Sequence, residues 1–197
     1  VELAKEAGID YITLFGFSSE NWARPEEEVN HLLDLLRHYL TEEVDELNKS
    51  NVRLKVIGDI VKFPVDLQDK IDRAEALTNE NDGVVVTIAL SYGGRLDIVQ
   101  AVQRLVKKAA EGDIRPEDIS YDMIARHLLT ADLPDPDMIV RTSGEQRLSN
   151  FLLLQGAYSE FYFTNTLWPD FGKQDFDQIM DEYARRNRRY GQLAAAE

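Results

Sequence analysis

The sequence predicts an α/β fold built on a mostly parallel central sheet with helices on both faces. Three observations predict it. Strand-like and helix-like segments alternate along the whole chain, the pattern that parallel sheets with crossover helices produce. The run Val84–Ser91 (VVVTIALS) is apolar at odd and even positions alike, as a central strand buried on both faces requires. No internal repeat and no linker rich in Gly, Ser or Pro divides the 197 residues, so a single domain over 1–197 is expected.

The elements follow in order. Val1–Gly8 (VELAKEAG) reads as the last turns of a helix closed by a glycine just past its end. A helix needs a beginning, so a preceding segment is expected. Ile9–Phe17 is a short β-rich run. Pro25–Lys49 is helical: Pro25 suits the first turn, Glu26, Glu27 and Glu28 favour the positive end of the dipole, and Val29, Leu32, Leu33, Leu36, Leu40, Val44 and Leu47 recur at helical spacing. Val52–Gly58 is a second strand and Leu67–Asn79 a second helix. After the central strand come a helix over Gly94–Gly112 and a shorter one around Glu117–Leu129. Met138–Thr142 and Phe161–Thr164 add strands, and Phe176–Arg189 closes the chain as a helix.

Composition narrows the function classes. With 22 Lys+Arg against 36 Asp+Glu the formal net charge is −14, which argues against bulk nucleic-acid binding, where affinity comes from neutralised phosphates. The absence of cysteine excludes disulfides, thiolate metal sites and cysteine nucleophiles, and fits the cytoplasm. No apolar stretch approaches the roughly 18–20 residues needed to span a bilayer. There is no Walker-type loop and no G-x-S-x-G elbow. An anionic ligand would have to be held by a local group of arginines that overrides the acidic field.

Three segments follow strand ends, where parallel α/β sheets bind ligands. In Ser18–Arg24 (SSENWAR), hydroxyls, a carboxylate, an amide, an indole and a guanidinium are packed between a strand and a helix. A capped loop accounts for Ser18, Asn21 and Trp22 equally well; Arg24, beside a positive helix end, needs an anion between them. In Arg141–Asn150 (RTSGEQRLSN), Arg141, Arg147, Ser143 and Ser149 supply forked and hydroxyl donors for phosphate oxygens, and Gly144 lets the backbone approach. The competing reading is a structural ion pair of Arg147 with Glu145. Glu160 among aromatics is a candidate ligand for a hard cation such as Mg²⁺. Tyr92-Gly93-Gly94-Arg95, opening a helix after a buried strand, is a weak phosphate signal and reads rather as a tight turn. His31, His38 and His127 lack ligand-like spacing.

Four blocks, FSSENWARPEEEV (17–29), SYGGRLDIVQA (91–101), LPDPDMIVRTSGEQRLSNFLL (133–153) and AYSEFYFTNTLWPDF (157–171), together resemble the cis-prenyltransferase family in its own order. The resemblance implies an enzyme that condenses isopentenyl diphosphate with an allylic diphosphate, usually farnesyl diphosphate, to give a long-chain polyprenyl diphosphate for a cell-wall lipid carrier. It implies that Arg141, Arg147 and Ser149, with Leu148 between them, hold isopentenyl diphosphate and that Glu160 is a Mg²⁺ ligand. Ser18, Ser19, Glu20, Trp22 and Arg24 would shape the substrate site, and Asn21 is the family's proposed proton acceptor. A carboxamide is a very poor base near neutral pH, so orientation of water or substrate, with diphosphate taking the proton, is the better chemical role for Asn21. A homodimer is implied, with Arg188-Arg189-Tyr190-Gly191 resembling the element that completes the site across the interface; helix capping explains the same residues.

An apolar tunnel for the growing chain is implied too, with the Pro25–Lys49 helix and Val84–Ile88 as candidate walls and Gly16 leaving room at its start. Core packing explains the same residues. The product implies release near a membrane from a cytoplasmic enzyme. The family's phosphate loop, Asp-Gly-Asn followed by Arg and Trp, does not occur in these 197 residues, so the chain on its own is expected to be inactive. The alternative is a non-catalytic partner subunit of a cis-prenyltransferase complex; retention of the arginines and Glu160 argues against it.

Overall fold

The computed structural model describes residues 1–186. Two compact units emerge, Val1–Pro134 and a second beginning at Asp135. In the first, α1 (Glu2–Glu6) leads into β1 (Tyr11–Ser18), a 3-10 turn (Ser19–Ala23), α2 (Glu26–Glu42) and α3 (Val44–Lys49). Then follow β2 (Arg53–Ile57), α4 (Val65–Thr78), β3 (Val85–Tyr92), α5 (Gly94–Ala110) and α6 (Tyr121–Ala125). The three strands pair in parallel in the order β1-β3-β2. The uniformly apolar run is therefore the central strand, and it is buried along most of its length. The α/β class and the parallel pairing expected from the sequence hold.

The helix expected over Pro25–Lys49 is two helices, interrupted at Glu43. The interruption lets one apolar stripe serve two clusters. Val29 and Leu33 of α2 pack with Phe17, Phe63, Leu67, Ile71 and Leu90. Val44 of α3 packs instead with Val52, Leu54, Ala74, Val84 and Val86. Leu40 and Ile88 lie against both clusters and join them.

Helix α4 covers the outer side of β2 with more than apolar contacts. Its inward stripe of Leu67, Ile71, Ala74 and Thr78 recurs at helical spacing and is buried. Thr78 Oγ1 accepts the Leu54 N–H at 3.0 Å and donates to the Ala74 carbonyl at 3.0 Å. Glu75 Oε1 accepts the Val56 N–H at 2.8 Å. Two backbone donors that would otherwise lack a strand partner are thus satisfied by side chains.

The second unit contains β4 (Met138–Arg141) and β5 (Glu160–Phe163), a parallel pair, and α7 (Lys173–Arg185). The segment between the two strands holds four of the six non-glycine residues with positive φ among the described residues: Ser143, Ser149, Asn150 and Leu152. A serine or leucine held there costs on the order of 1 kcal/mol, an asparagine less. Helix α7 opens with Asp175 accepting from the Gly172 N–H at 3.1 Å and from the Thr166 hydroxyl at 2.6 Å. These two donors, the hydroxyl first, hold its carboxyl below the ordinary carboxylate range. The Arg188–Gly191 element lies outside the described residues.

Candidate active site

In the first unit the parallel strands end together, which places Ser18, Gly58 and Ser91 at one end of the sheet. The 3-10 turn grows directly from the end of β1. The Ser18 N–H donates to Asn21 Oδ1 at 2.8 Å, so Asn21 closes its own turn with the atom that a proton acceptor would use. The Ser19 hydroxyl donates to Glu20 at 3.0 Å. The Trp22 Nε1–H donates to Ser91 Oγ at 2.9 Å, and its ring meets Phe17 and Phe63 edge-on at centroid distances of 4.9 and 5.2 Å. Arg24 pairs with Glu28 at 2.6 Å, both half-exposed. The anion that Arg24 needed beside the start of α2 is thus supplied by the helix's own first turn. Such an exposed pair is worth little and is readily exchanged for a stronger anion.

Gly93 alone separates β3 from α5, so the chain turns sharply where Tyr92–Arg95 was expected to turn. Asp97, buried in the first turn of α5, accepts the Tyr92 hydroxyl at 3.1 Å and the Leu129 N–H at 2.9 Å. Its carboxylate already complements the positive end of the helix, which disfavours a phosphate there. Gly16 is followed by a register shift in the β1–β3 ladder. A side chain at Gly16 would meet Ile88 and Leu90 at 3.1 Å. The candidate wall residues of the tunnel pack against one another in the two clusters.

In the second unit, Arg141 ends β4 and the segment after it is held to the residues beyond β5. The Ser143 N–H reaches the Thr166 carbonyl at 2.9 Å and the Gly144 N–H reaches that of Thr164 at 2.8 Å. Arg147 is exposed and pairs with Glu145, so the structural ion pair foreseen for it does form. Ser149 is exposed and Leu148 half-buried. Glu160 Oε2 accepts Arg186 Nη1 at 2.9 Å, and the same nitrogen donates to the Phe161 carbonyl at 2.7 Å. Glu182 holds Arg186 from the other side, and the two carboxylates, Glu182 first, raise the guanidinium pKa.

A magnesium ion takes one or two carboxylates and completes its shell with water and substrate oxygens. Glu160, partly exposed with one oxygen on Arg186, fits as one such ligand. Among the described residues no group of three or more His, Asp or Glu side chains could hold a metal.

Sequence reasoning missed Gly58 and the hydroxyl of Ser91. The Trp22–Ser91 bond joins residues 69 positions apart, so no local pattern points to it. Asp97 left a faint signal, an acidic residue in a helix's first turn after two glycines.

Comparison with known proteins decides the family. The profile described as "Putative undecaprenyl diphosphate synthase" matches residues 1–191. The chain belongs to the cis-prenyltransferase family. It is 49% identical over 191 residues to the ditrans,polycis-undecaprenyl-diphosphate synthase ((2E,6E)-farnesyl-diphosphate specific) of Vibrio vulnificus, covering 97% of this chain and 76% of that protein. The Escherichia coli K12 protein of the same description is 47% identical with the same coverage. Among solved structures, lavandulyl diphosphate synthase from Lavandula x intermedia, in complex with dimethylallyl diphosphate, superposes with a TM-score of 0.94 at 38% identity, covering 97% of this chain and 83% of that one. As a cis-prenyltransferase the chain is an enzyme. The expectation of an inactive chain and the partner-subunit alternative gain no support, since the match to synthases spans 97% of the sequence. Among the described residues no helix is long and apolar enough to cross a membrane.

Proposed function

We propose that this cis-prenyltransferase elongates an allylic diphosphate, farnesyl diphosphate first among candidates, with isopentenyl diphosphate to a long-chain polyprenyl diphosphate of the undecaprenyl type. The observation that carries the reading is the Arg141–Asn150 segment. Two guanidinium groups and two serines stand on a segment in which both serines are left-handed and whose start is tied to residues 164–166. Strain of this kind persists where a site needs it. The descriptions of the relatives supply the substrate class.

In this mechanism Arg141, Arg147 and Ser149 bind the diphosphate of the isopentenyl unit, with Leu148 between them. Arg147 exchanges Glu145 for the more highly charged ligand. Ser18, Ser19, Glu20, Trp22 and Arg24 shape the allylic site, where Arg24 exchanges Glu28 for phosphate oxygens. The allylic C–O bond breaks as the alkene carbon forms the new C–C bond, and diphosphate leaves with the electron pair. Fixed positive groups stabilise that developing charge. The proton lost from the isopentenyl unit goes to diphosphate oxygen. Asn21, whose carbonyl is engaged by Ser18, orients through its amide N–H groups. Mg²⁺, when bound, would neutralise diphosphate charge, with Glu160 as one ligand.

The growing chain would run along the Pro25–Lys49 helix and Val84–Ile88, and the packed apolar side chains there would have to part to admit it. The profile match across both units supports reading 1–197 as one catalytic domain. Exposed Val140, Tyr158, Phe163, Leu167 and Trp168 support a homodimer, the absence of cysteine fits cytoplasmic action, and an apolar product calls for release at a membrane. The test is incorporation of labelled isopentenyl diphosphate into farnesyl diphosphate with and without Mg²⁺. A Mg²⁺-dependent polyprenyl ladder is expected. No product from folded protein would overturn the reading.

A further inference from the structure

We infer that Ser91 is a positioning residue for the Ser18–Arg24 loop: a bulge turns its hydroxyl onto the Trp22 indole, and that bond sets where Asn21 and Arg24 stand. The inference rests on the proposed prenyl transfer and adds a residue to which that proposal assigns no role.

The ladder between β1 and β3 carries two opposed irregularities. Phe15 pairs with Ala89, Phe17 with Leu90 and Ser18 with Tyr92. Gly16 is therefore the extra residue on β1 and Ser91 the extra residue on β3, and the second restores the register that the first disturbs. Bulges re-aim a side chain and are common beside active sites. Ser91 adopts φ 48 and is 1% exposed. A left-handed bulge position favours glycine, yet serine stands here. The residue that bears this strain is also the one that supplies a hydroxyl.

That hydroxyl is spent on one partner. An indole has a single N–H donor, and Trp22 directs it to Ser91 Oγ at 2.9 Å. Phe17 and Phe63 contact the same ring, and they also contact each other at 5.8 Å. Rotating the indole while keeping those contacts would break the hydrogen bond, and keeping the bond while moving the ring would lose the contacts. Trp22 is thereby fixed in position as well as in direction. It stands in a five-residue turn directly after Asn21 and two residues before Arg24. The Ser91 carbonyl meanwhile accepts the Asp59 N–H at 3.3 Å, which ties the bulge to the end of β2.

The test uses the full chain with Ser91→Ala and Ser91→Asn. Alanine keeps the strained backbone and removes the acceptor. Asparagine tolerates the left-handed region and offers a carbonyl acceptor. Both are also made with Trp168→Phe, so that emission reports Trp22 alone. Ser91→Ala is expected to raise the KM for the allylic diphosphate about tenfold, the loss of one well-placed hydrogen bond. The KM for isopentenyl diphosphate should stay within about twofold on the same reasoning, while Trp22 emission shifts to the red. Ser91→Asn should restore both the KM and the emission. An unchanged allylic KM in an active Ser91→Ala protein, or equal loss in both variants, would overturn the inference. Absence of transfer by the wild-type chain would sink the functional reading alone, whereas unchanged Trp22 emission in Ser91→Ala would sink the positioning role whatever the activity.

Discussion

Replacing Gly58 by alanine tests whether the end of β2 is held as close to β3 as the structure places it. Gly58 has φ +128, and an added Cβ would stand 1.7 Å from the Leu90 carbonyl oxygen and 2.8 Å from its carbon. Ordinary contact begins at 3.4 Å, so about 1.7 Å of backbone separation must be created, far beyond what a packed sheet absorbs freely. The unusual φ adds on the order of 1–3 kcal/mol. Together these place the loss at about 3–5 kcal/mol, in the severe range for one substitution. Gly112 is the matched control. It also has a left-handed backbone, φ +84, but nothing lies within 4 Å of its Cβ position, so Gly112→Ala should lose only about 1–2 kcal/mol. Urea unfolding followed by circular dichroism measures both. With a slope of roughly 1–3 kcal/mol per molar urea, the midpoint for Gly58→Ala should fall by about 1 M or more. Equal losses in the two variants would refute the close-approach argument, because strain in φ alone would then account for both.

Arg147→Met should raise the KM for isopentenyl diphosphate by about 10- to 100-fold, the value of a charge-assisted bond to phosphate. Its melting temperature should barely move, because the Glu145 pair is exposed and such pairs contribute little; kinetics and thermal melts on one preparation check both. Glu160→Gln should raise the Mg²⁺ concentration for half-maximal turnover about tenfold or more, as loss of an anionic ligand weakens the shell, and EDTA should stop the wild type altogether. Glu75 is half-buried, and desolvation, opposed by the Val56 N–H, raises its pKa. A raised folded-state pKa contributes stability below the unfolded value that is lost as pH rises through the folded one. Glu75→Gln, which keeps an acceptor for Val56, should therefore stabilise the protein near pH 7 and lose that advantage below the ordinary carboxylate range; thermal melts across pH would show a constant gain if the argument failed.

What could be read from the sequence was what depends on near neighbours. The apolar run of β3, the stripe of α2 and the placement of Ser18–Arg24 and Arg141–Asn150 after strands all follow from local periodicity and from the rule that parallel sheets present ligand loops at one end. The break at Glu43 was not legible, because Val29, Leu33, Val44 and Leu47 fit one helix as well as two until the first pair is seen to serve one cluster and the second pair the other. Neither was the partner of Trp22, which a bulge on a distant strand supplies. Arg147 shows the opposite case: both of its readings were visible, and the pair with Glu145 is compatible with the other, since an exposed carboxylate yields to a diphosphate. The pairing of Glu160 with Arg186 joins residues 26 apart and has no local signature.

The side chains that α4 lays along β2 have a consequence for assembly. An outer strand is normally a template: its outward N–H and C=O groups invite another strand, whether from a partner, a second copy or a misfolded neighbour. Here Thr78 and Glu75 take the Leu54 and Val56 donors, and β2 has neither N–H left to offer an incoming chain. Extension of this three-stranded sheet is thereby directed to the β1 side. Removing the two acceptors together, as in Thr78→Val with Glu75→Leu, would leave the helix in place and turn a sealed border into an adhesive one.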